Sequence, residues 1–370
     1  MILSKRINSK TIVWLENQNQ YLIVSPIFAK ILQMVAEKKS TEEITSCITS
    51  AVDITDEHRR VLLLHCKNLL FTPKKIQAKI TNEHPRIQSY TTSKYYKIND
   101  TILLVAFCSA YETALIHPKF AHLEVEPTSK TDFQYQIFTS NDIIHLYNNT
   151  ELIDVWHQKD SHVFQGKFSM KIIEHMHDYK EDKWMGILHA SAVSNHRECI
   201  LFLGASGNGK STSLALLQAH GYTCLADDFV PILAKNKEVY SYPSAISIKK
   251  NSLLVLLPYY PELQNSAEYK YEKLGKTVRY LPPRNRDYKQ HAPCNKLVFI
   301  KYSKNTDARI KEISLFDALE QLVPDSWLSP KASNAAAFLD WFTGLTCYQL
   351  TYSNNQKMIA IVENIFTYEL

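Results

Sequence analysis

The chain lacks any hydrophobic run long enough to cross a bilayer. Apolar stretches such as residues 102–106 and 253–257 are far shorter than the roughly 20 residues that a transmembrane helix needs. The first fifteen residues also lack the apolar core of a signal peptide. These two absences predict a soluble, cytoplasmic protein that has no membrane partner.

The sequence also lacks closely spaced pairs of cysteines and long runs of residues with the same charge. The seven cysteines include no C-x-x-C pair and their number is odd, which fits reduced thiols and predicts no zinc site or disulfide framework. The net charge of +5 is spread along the chain, so no nucleic-acid partner is indicated. With 45% hydrophobic and 21% charged residues, 370 residues are enough for two or three compact units.

Glycine is scarce, with eight residues in the chain, yet three of the eight lie at positions 204, 207 and 209. They follow an apolar run at 199–203 that is typical of a buried strand, and they precede a helical stretch at 211–219. That setting is what the phosphate-binding motif G-x-x-x-x-G-K-[ST] requires. Its backbone N–H groups turn inward around phosphate oxygens, which a Cβ would obstruct. We therefore predict that ATP and Mg²⁺ bind at Gly204, Ala205, Ser206, Gly207, Asn208, Gly209, Lys210, Ser211 and Thr212.

Two acids follow the next apolar run. Residues 222–226 predict a strand that ends in Asp227 and Asp228, close to the phosphate-binding loop. Kinase chemistry needs a metal ligand and a proton acceptor at that place. Lys210 would reach the β- and γ-phosphates and Ser211 would ligate Mg²⁺. The alternative is a pair of solvated acids that cap a turn.

These motifs together resemble a known family. The segments LHASA (188–192), GASGNGKST (204–212) and LLQAHGYTCLADDF (216–229) are similar to the HPr kinase/phosphorylase family, whose core is shared with phosphoenolpyruvate carboxykinases. The resemblance is strong over 186–231 and looser to about 325. It implies a phosphoryl transfer in which Asp228 accepts the hydroxyl proton and Asp227 supports the metal, although these two roles could be reversed.

The resemblance carries further expectations. It implies that His189 lies on the strand before the loop and orients the phosphate or the acids, and it raises the expectation of a homo-oligomer. One departure is clear, because residues 247–251 read SIKKN where the HPr kinases carry a magnesium-binding glutamate. That departure counts against HPr as the substrate and against phosphorolysis.

The first seventy residues form a separate pattern. Two β-rich runs at 11–15 and 21–24 predict a hairpin, and helices are predicted from Pro26, from Ser40 with Glu43 as a capping box, and over 55–71. In the third helix, Val61, Leu64, Leu69 and Leu70 are expected to be buried. The runs YLIVSP (21–26) and STEEI (40–44) resemble the PqqD-like fold, a recognition element for ribosomally made precursor peptides. This implies that residues 8–72 bind a leader peptide at the hairpin edge; a purely structural cap is the alternative.

The predicted fold class is α/β with three parts. These are a PqqD-like winged-helix domain (1–78), a β-rich intermediate region (84–185) and an HPr kinase-like P-loop domain (186–370), with a linker at 72–85. The predicted function is a kinase that phosphorylates a Ser or Thr hydroxyl of a precursor peptide. A small-molecule or sugar kinase and a non-catalytic nucleotide sensor are the alternatives. In the basic segment 259–288, which includes Lys273, Arg279 is the first choice for a further phosphate contact.

Overall fold

The computed structural model describes residues 1–72, 89–271 and 276–368. These residues form a mixed α/β structure with several sheets. The predicted linker lies outside the described residues except for Thr72, and Lys273 lies outside them as well. Within the described ranges, no helix combines the length and the apolar composition that crossing a bilayer requires.

The N-terminal part is a small antiparallel sheet with three helices. Its elements are β1 (Ile2–Ile7), β2 (Lys10–Leu15), β3 (Gln20–Val24), α1 (Pro26–Ala36), α2 (Thr41–Ala51) and α3 (Asp56–Phe71). The predicted hairpin and the three helices are confirmed. Strand β1, which pairs along β2, was not predicted, because its sequence ILSKRI mixes charged and apolar residues without a clear alternation.

Side-chain caps fix the starts of these helices, but the buried face of α3 differs from the prediction. Ser40 accepts a hydrogen bond from the Glu43 amide, and Glu43 accepts one from the Ser40 amide, which is the predicted capping box. In α3 the expected burial of Val61 and Leu64 is wrong, because each is 59% exposed and Cys66 is the buried residue. The buried stripe of α3 is displaced around the helix from the predicted one, so two large apolar side chains face solvent.

The intermediate part is a six-stranded sheet, ordered β6-β4-β5-β7-β8-β9, with two helices. Its elements are β4 (Thr92–Ile98), β5 (Thr101–Phe107), α4 (Ala110–Phe120), β6 (Glu124–Val125), β7 (Phe133–Ser140), β8 (Ile143–Asn148), β9 (Glu151–His157) and α5 (Ser161–His177). The β-rich prediction is confirmed. Helix α4 was not predicted, and α5 begins eight residues before the predicted start at 169.

The C-terminal part is built on a ten-stranded mixed sheet and a smaller three-stranded sheet, β16-β18-β17. Its strands are β10 (Trp184–Leu188), β11 (Ser191–Ser194), β12 (Cys199–Leu203), β13 (Thr223–Asp227), β14 (Val230–Leu233), β15 (Glu238–Tyr240), β16 (Ile246–Lys249), β17 (Tyr269–Tyr271), β18 (Lys276–Leu281), β19 (His291–Tyr302), β20 (Arg309–Glu312), β21 (Ser326–Leu328) and β22 (Thr346–Tyr352). Its helices are α6 (Lys210–Ala219), α7 (Leu253–Leu256), α8 (Leu315–Leu322), α9 (Ala332–Phe342) and α10 (Asn355–Thr367). The predicted boundary between 185 and 186 falls inside β10.

The topology of the large sheet brings two strand ends together. Strand β11 is antiparallel to both β12 and β13, so β12 and β13 run in the same direction. Ser191, at the start of β11, pairs with Phe202 of β12 and with Asp227 of β13. The carboxyl ends of β12 and β13 therefore lie at one edge of the sheet, where α/β proteins bind their ligands.

The N-terminal sheet packs directly against the C-terminal part. The side-chain amide of Asn19, just before β3, donates to the carbonyl of Leu328 in β21 at 2.8 Å. The rings of Tyr21 and Phe338 meet edge to face with centroids 5.0 Å apart. Ile12 and Trp14 belong to the same buried cluster as the C-terminal core. The start of β3 is thus fixed next to β21.

Candidate functional site

The loop from 204 to 209 has a backbone that only glycine accommodates easily. Gly204, Gly207 and Gly209 have φ values of +133°, +97° and +100°. A Cβ on Gly204 would lie 2.8 Å from the carbonyl oxygen of Ile300, and one on Gly209 would lie 2.7 Å from the Tyr352 hydroxyl. These approaches are shorter than any ordinary van der Waals contact. The loop is therefore a cradle that side chains at two of its positions would fill.

Neighbouring strands hold this loop at the start of α6. The Tyr302 amide donates to the Asn208 carbonyl at 3.0 Å, and the hydroxyls of Ser213 and Tyr352 are hydrogen-bonded at 3.0 Å. Helix α6 begins at Lys210, immediately after the loop. The unpaired N–H groups of its first turn and its positive dipole end create a site that favours an anion.

Lys210 lies inside the loop and is only 6% exposed. Its ammonium donates to the Gly204 carbonyl at 2.5 Å. Burial lowers the pKa of Lys210, while the nearby carboxylates of Asp228, Asp227 and Asp325 act in the opposite direction. The loop thus holds a buried cation near three acids, and Asp325 was not predicted to be one of them.

Asp227 is the buried member of the acidic pair, with 2% exposure. One carboxylate oxygen accepts from the hydroxyls of Ser191 at 2.5 Å and Ser211 at 3.2 Å, and the other accepts from the Ser247 amide at 3.2 Å. Burial, and secondly the charge of Asp228, raise the pKa of Asp227 from 3.8 to about 6. This carboxylate is therefore fixed in position next to Ser211 and binds a proton more readily than usual.

Asp228 has a different environment. It has a left-handed backbone conformation, with φ of +63°, and its amide donates to the Ala190 carbonyl at 2.9 Å. This geometry turns its side chain, which is 27% exposed, toward the same cleft as His189. The His189 Nδ1 atom is 3.8 Å from the Asp228 carboxylate. The prediction that His189 lies on a strand is wrong, because β10 ends at Leu188 and His189 lies in the bend that follows.

A second lysine reaches the loop from β16. The Lys249 ammonium donates to the Ser206 hydroxyl at 2.9 Å. Lys249 lies in the segment where the resemblance led us to expect a glutamate, and this departure was the only sequence signal for it. Arg279, which we expected to contact phosphate, instead donates to the carbonyls of Leu263, Gln264 and Ser266. The structure therefore brings Lys249, and not Arg279, to the loop.

The cleft brings together most of the predicted site residues. It is lined by His189, Ser206, Gly207, Gly209, Lys210, Ser211, Thr212, Asp228, Ser247, Lys249, Asn251 and Ser252. Thr212 donates to the Ser252 hydroxyl at 2.7 Å. A serine hydroxyl and a fixed carboxylate, in Ser211 and Asp227, are oxygen ligands of the kind that Mg²⁺ prefers. These residues fit a magnesium polyphosphate.

Comparison with known proteins shows a distant similarity to solved structures. No protein-family model and no curated protein matches the chain. Among solved structures, the chain is similar to the Hpr(Ser) kinase/phosphatase from Coxiella burnetii. The alignment covers 49% of this chain and 91% of that chain, at 10% identity and a TM-score of 0.23. The similarity extends over about half of this chain and identifies no substrate.

Proposed function

We propose that this protein is an ATP-dependent kinase that phosphorylates a Ser or Thr hydroxyl of a ribosomally synthesised precursor peptide. The observation that carries the proposal is the arrangement of one glycine cradle, one buried lysine and two adjacent acids at the same sheet edge. The cradle and Lys210 suit a polyphosphate. Asp228, which reaches the open cleft, suits a hydroxyl whose proton must be removed.

In the proposed reaction, the acceptor hydroxyl oxygen forms a bond to the γ-phosphorus of ATP while the bond from that phosphorus to the β-phosphate oxygen breaks. The hydroxyl proton passes to the carboxylate of Asp228, and ADP leaves with the electron pair of the broken bond. Lys210 would exchange its contact with the Gly204 carbonyl for the β- and γ-phosphate oxygens. His189, next to Asp228, would orient that carboxylate or the transferred phosphoryl group.

Ser211 and Asp227 would hold Mg²⁺, which neutralises phosphate charge when it is bound. Lys249 supplies another positive charge at Ser206. A lysine in place of a metal-binding glutamate supports phosphate binding and not a further metal ligand. The site therefore favours transfer of the γ-phosphoryl group from ATP to a hydroxyl.

The N-terminal part supports the peptide component of the proposal. Among the described residues β3 pairs with β2 alone, so its other edge offers backbone groups to an extended peptide. Helix α3 exposes Val61, Leu64 and Phe71 by 59%, 59% and 60%. An apolar helix face of this kind is suited to the side chains of a bound segment. Because Asn19 binds β21, a leader held along β3 would begin close to the large sheet.

The test is incubation of the full chain with ATP, Mg²⁺ and a candidate precursor peptide, with and without its leader. We expect mass spectrometry to detect a gain of one phosphate on a Ser or Thr that depends on ATP and Mg²⁺, and much slower reaction without the leader. A double substitution, Val61→Ser with Leu64→Ser, should slow only the leader-dependent reaction. A matched control is the double substitution Leu254→Ser with Val255→Ser, an exposed leucine and valine on helix α7 outside the N-terminal part.

Two outcomes separate the proposal from its alternatives. Equal rates with and without the leader would favour a kinase for other hydroxyl compounds and leave the N-terminal part with a structural role. Binding of MgATP with no phosphorylated product from the precursor would contradict the kinase proposal and favour a nucleotide sensor.

A further inference from the structure

A second, larger cavity adjoins the phosphate cleft. Its volume is about 830 Å³, and it shares His189, Ala205, Ser206 and Asp228 with the cleft described above or with the loop that forms it. Any molecule in this cavity would therefore lie beside the carboxylate that we propose as the base. The cavity is formed between α5 and β9 of the intermediate part and β10 and β21 of the large sheet.

The walls of this cavity are mainly apolar and aromatic. Six large side chains from five separate segments line it: Trp156, Val163, Met170, Ile187, Phe229 and Trp327. Most of them are buried or half-buried, whereas Val163 is 49% exposed at the open side. Surfaces of this kind bind apolar groups because water leaves both partners.

The charged groups of the cavity have mostly one sign. Carboxylates of Asp154, Glu181, Asp228 and Asp325 line it. Lys167 also lines it, but Lys167 is hydrogen-bonded to Glu181, so each neutralises the other. His162 and His189 complete the set of titratable side chains. An acidic acceptor would meet repulsion here, whereas a neutral or basic one would not.

From these observations we propose that the cavity is the acceptor site, and that it selects a peptide segment in which a bulky apolar residue flanks the phosphorylated Ser or Thr. This inference rests on the proposed kinase function. The apolar residue would pack against Trp156, Met170 and Trp327 while the hydroxyl reaches Asp228. At about 830 Å³, the cavity is near the upper end of the roughly 300–1,000 Å³ of pockets for drug-sized ligands. It thus has room for several residues and is larger than one hydroxyl group needs.

Gly166 in α5 allows the cavity to be filled without disturbing its walls. It lines the cavity, and a Cβ at this position would have no heavy atom within 4 Å. Gly166→Ala should therefore be tolerated, and it should favour the helix, since alanine is a better helix former than glycine. Gly166→Trp places a large ring in the space that the acceptor would occupy. Val163→Trp narrows the open side and is a second variant should the first be unstable.

The probe is a library of short synthetic peptides with one central serine. In each pool of the library, one flanking position holds a single defined amino acid, and every amino acid is tried in turn at that position. The full chain is incubated with the library and radiolabelled ATP. We expect Phe, Leu, Met or Trp to be favoured beside the serine, and Asp or Glu to be disfavoured. Gly166→Trp should lower kcat/KM for apolar peptides by about tenfold or more, the scale of discrimination in hydrophobic pockets.

ATP affinity, measured by calorimetry, should be the same in wild type, Gly166→Ala and Gly166→Trp. Lys159→Trp serves as the matched control, because Lys159 is exposed, precedes α5 and does not line the cavity. Peptide phosphorylation without apolar preference, or unchanged kcat/KM in both Gly166→Trp and Val163→Trp, would overturn this inference and leave the kinase proposal in place. MgATP binding without phosphorylation of these short peptides or of a leader-bearing candidate precursor would overturn both.

Discussion

The phosphate side and the acceptor side of the proposed site are built in different ways. The phosphate side uses one loop, 204–209, and depends on backbone geometry, with three glycines at positive φ and two close backbone or side-chain approaches. The acceptor side uses side chains from β9, α5, β10 and β21 and from Phe229, which are separate segments of the chain. Backbone geometry tolerates few substitutions, whereas a side-chain cavity can be altered one residue at a time. We therefore expect the first side to be intolerant of change and the second to be adjustable.

The largest effect is expected where the two sides meet, at Asp228. Asp228→Asn keeps the shape but removes the proton acceptor, so phosphoryl transfer should fall by about 10²–10⁴-fold. ATP binding, measured by calorimetry, should remain. Asp178→Asn is a matched control, because Asp178 is also an aspartate in a left-handed conformation, with φ of +56°, and lies at the end of α5. Full transfer activity in Asp228→Asn would remove this residue from the mechanism.

A glycine pair tests the intolerance of the phosphate side. Both glycines have a positive φ, +100° at Gly209 and +92° at Gly221. An alanine Cβ at position 209 would lie 2.7 Å from the Tyr352 hydroxyl, whereas one at position 221 would have no heavy atom within 4 Å. Both Gly209→Ala and Gly221→Ala should lose about 1–2 kcal/mol of stability from the backbone strain. Only Gly209→Ala should also lose ATP affinity, because its Cβ displaces the loop from Tyr352. We expect a loss of about tenfold or more, which corresponds to about 1.4 kcal/mol of binding free energy. Thermal unfolding and calorimetry measure the two effects separately, and equal ATP affinities would contradict the cradle.

A lysine pair tests the newly found contact. Lys249→Ala removes the ammonium that binds Ser206. Its neighbour Lys250 is exposed and does not line the cleft, which makes Lys250→Ala the matched control. We expect about a fivefold loss of ATP affinity in Lys249→Ala, corresponding to about 1 kcal/mol for a partly solvated charge. A similar loss in both variants would indicate only an effect of overall charge.

The smallest effect concerns the proton on Asp227. Its raised pKa of about 6 means that, between pH 4 and 6, the folded chain holds a proton that the unfolded chain has lost. The stability due to this group therefore falls as pH rises through that window. Mg²⁺ needs the ionised carboxylate, so binding of MgATP at pH 6 should release about half a proton, and affinity should weaken at lower pH. Calorimetry in buffers of different ionisation enthalpy measures the release, which Asp227→Asn should abolish.

The parts of the fold that were predicted depend on local sequence. The apolar run before the loop, the glycines and the first residues of α6 are contiguous, and so are the capping box at Ser40 and Glu43. Helix α4 escaped prediction because Pro118 lies inside it, and proline usually ends a helix. His189 was placed on a strand, but the chain bends after Leu188 to begin β11.

The remaining site residues could not be predicted because only the folded chain brings them together. Lys249 is 43 residues from its partner Ser206, and Asp325 is more than a hundred residues from Lys210. Neither follows a spacing rule that a single sequence displays. The acceptor cavity is the extreme case, since Trp156 and Trp327 come from different parts of the chain. PqqD-like recognition by residues 8–72, and the domain limits at 78, 84 and 185, stay predictions.

The proposed function depends on a triphosphate bound by the loop at 204–211, with its metal beside the acids. A crystal structure of the full chain grown with Mg²⁺ and a non-hydrolysable ATP analogue is the decisive experiment. We expect phosphate density against the loop amides and Lys210, a metal between Ser211 and Asp227, and the Asp228 carboxylate facing the γ-phosphate. An analogue bound elsewhere, or acids that face away from its phosphates, would show that the proposed function is wrong.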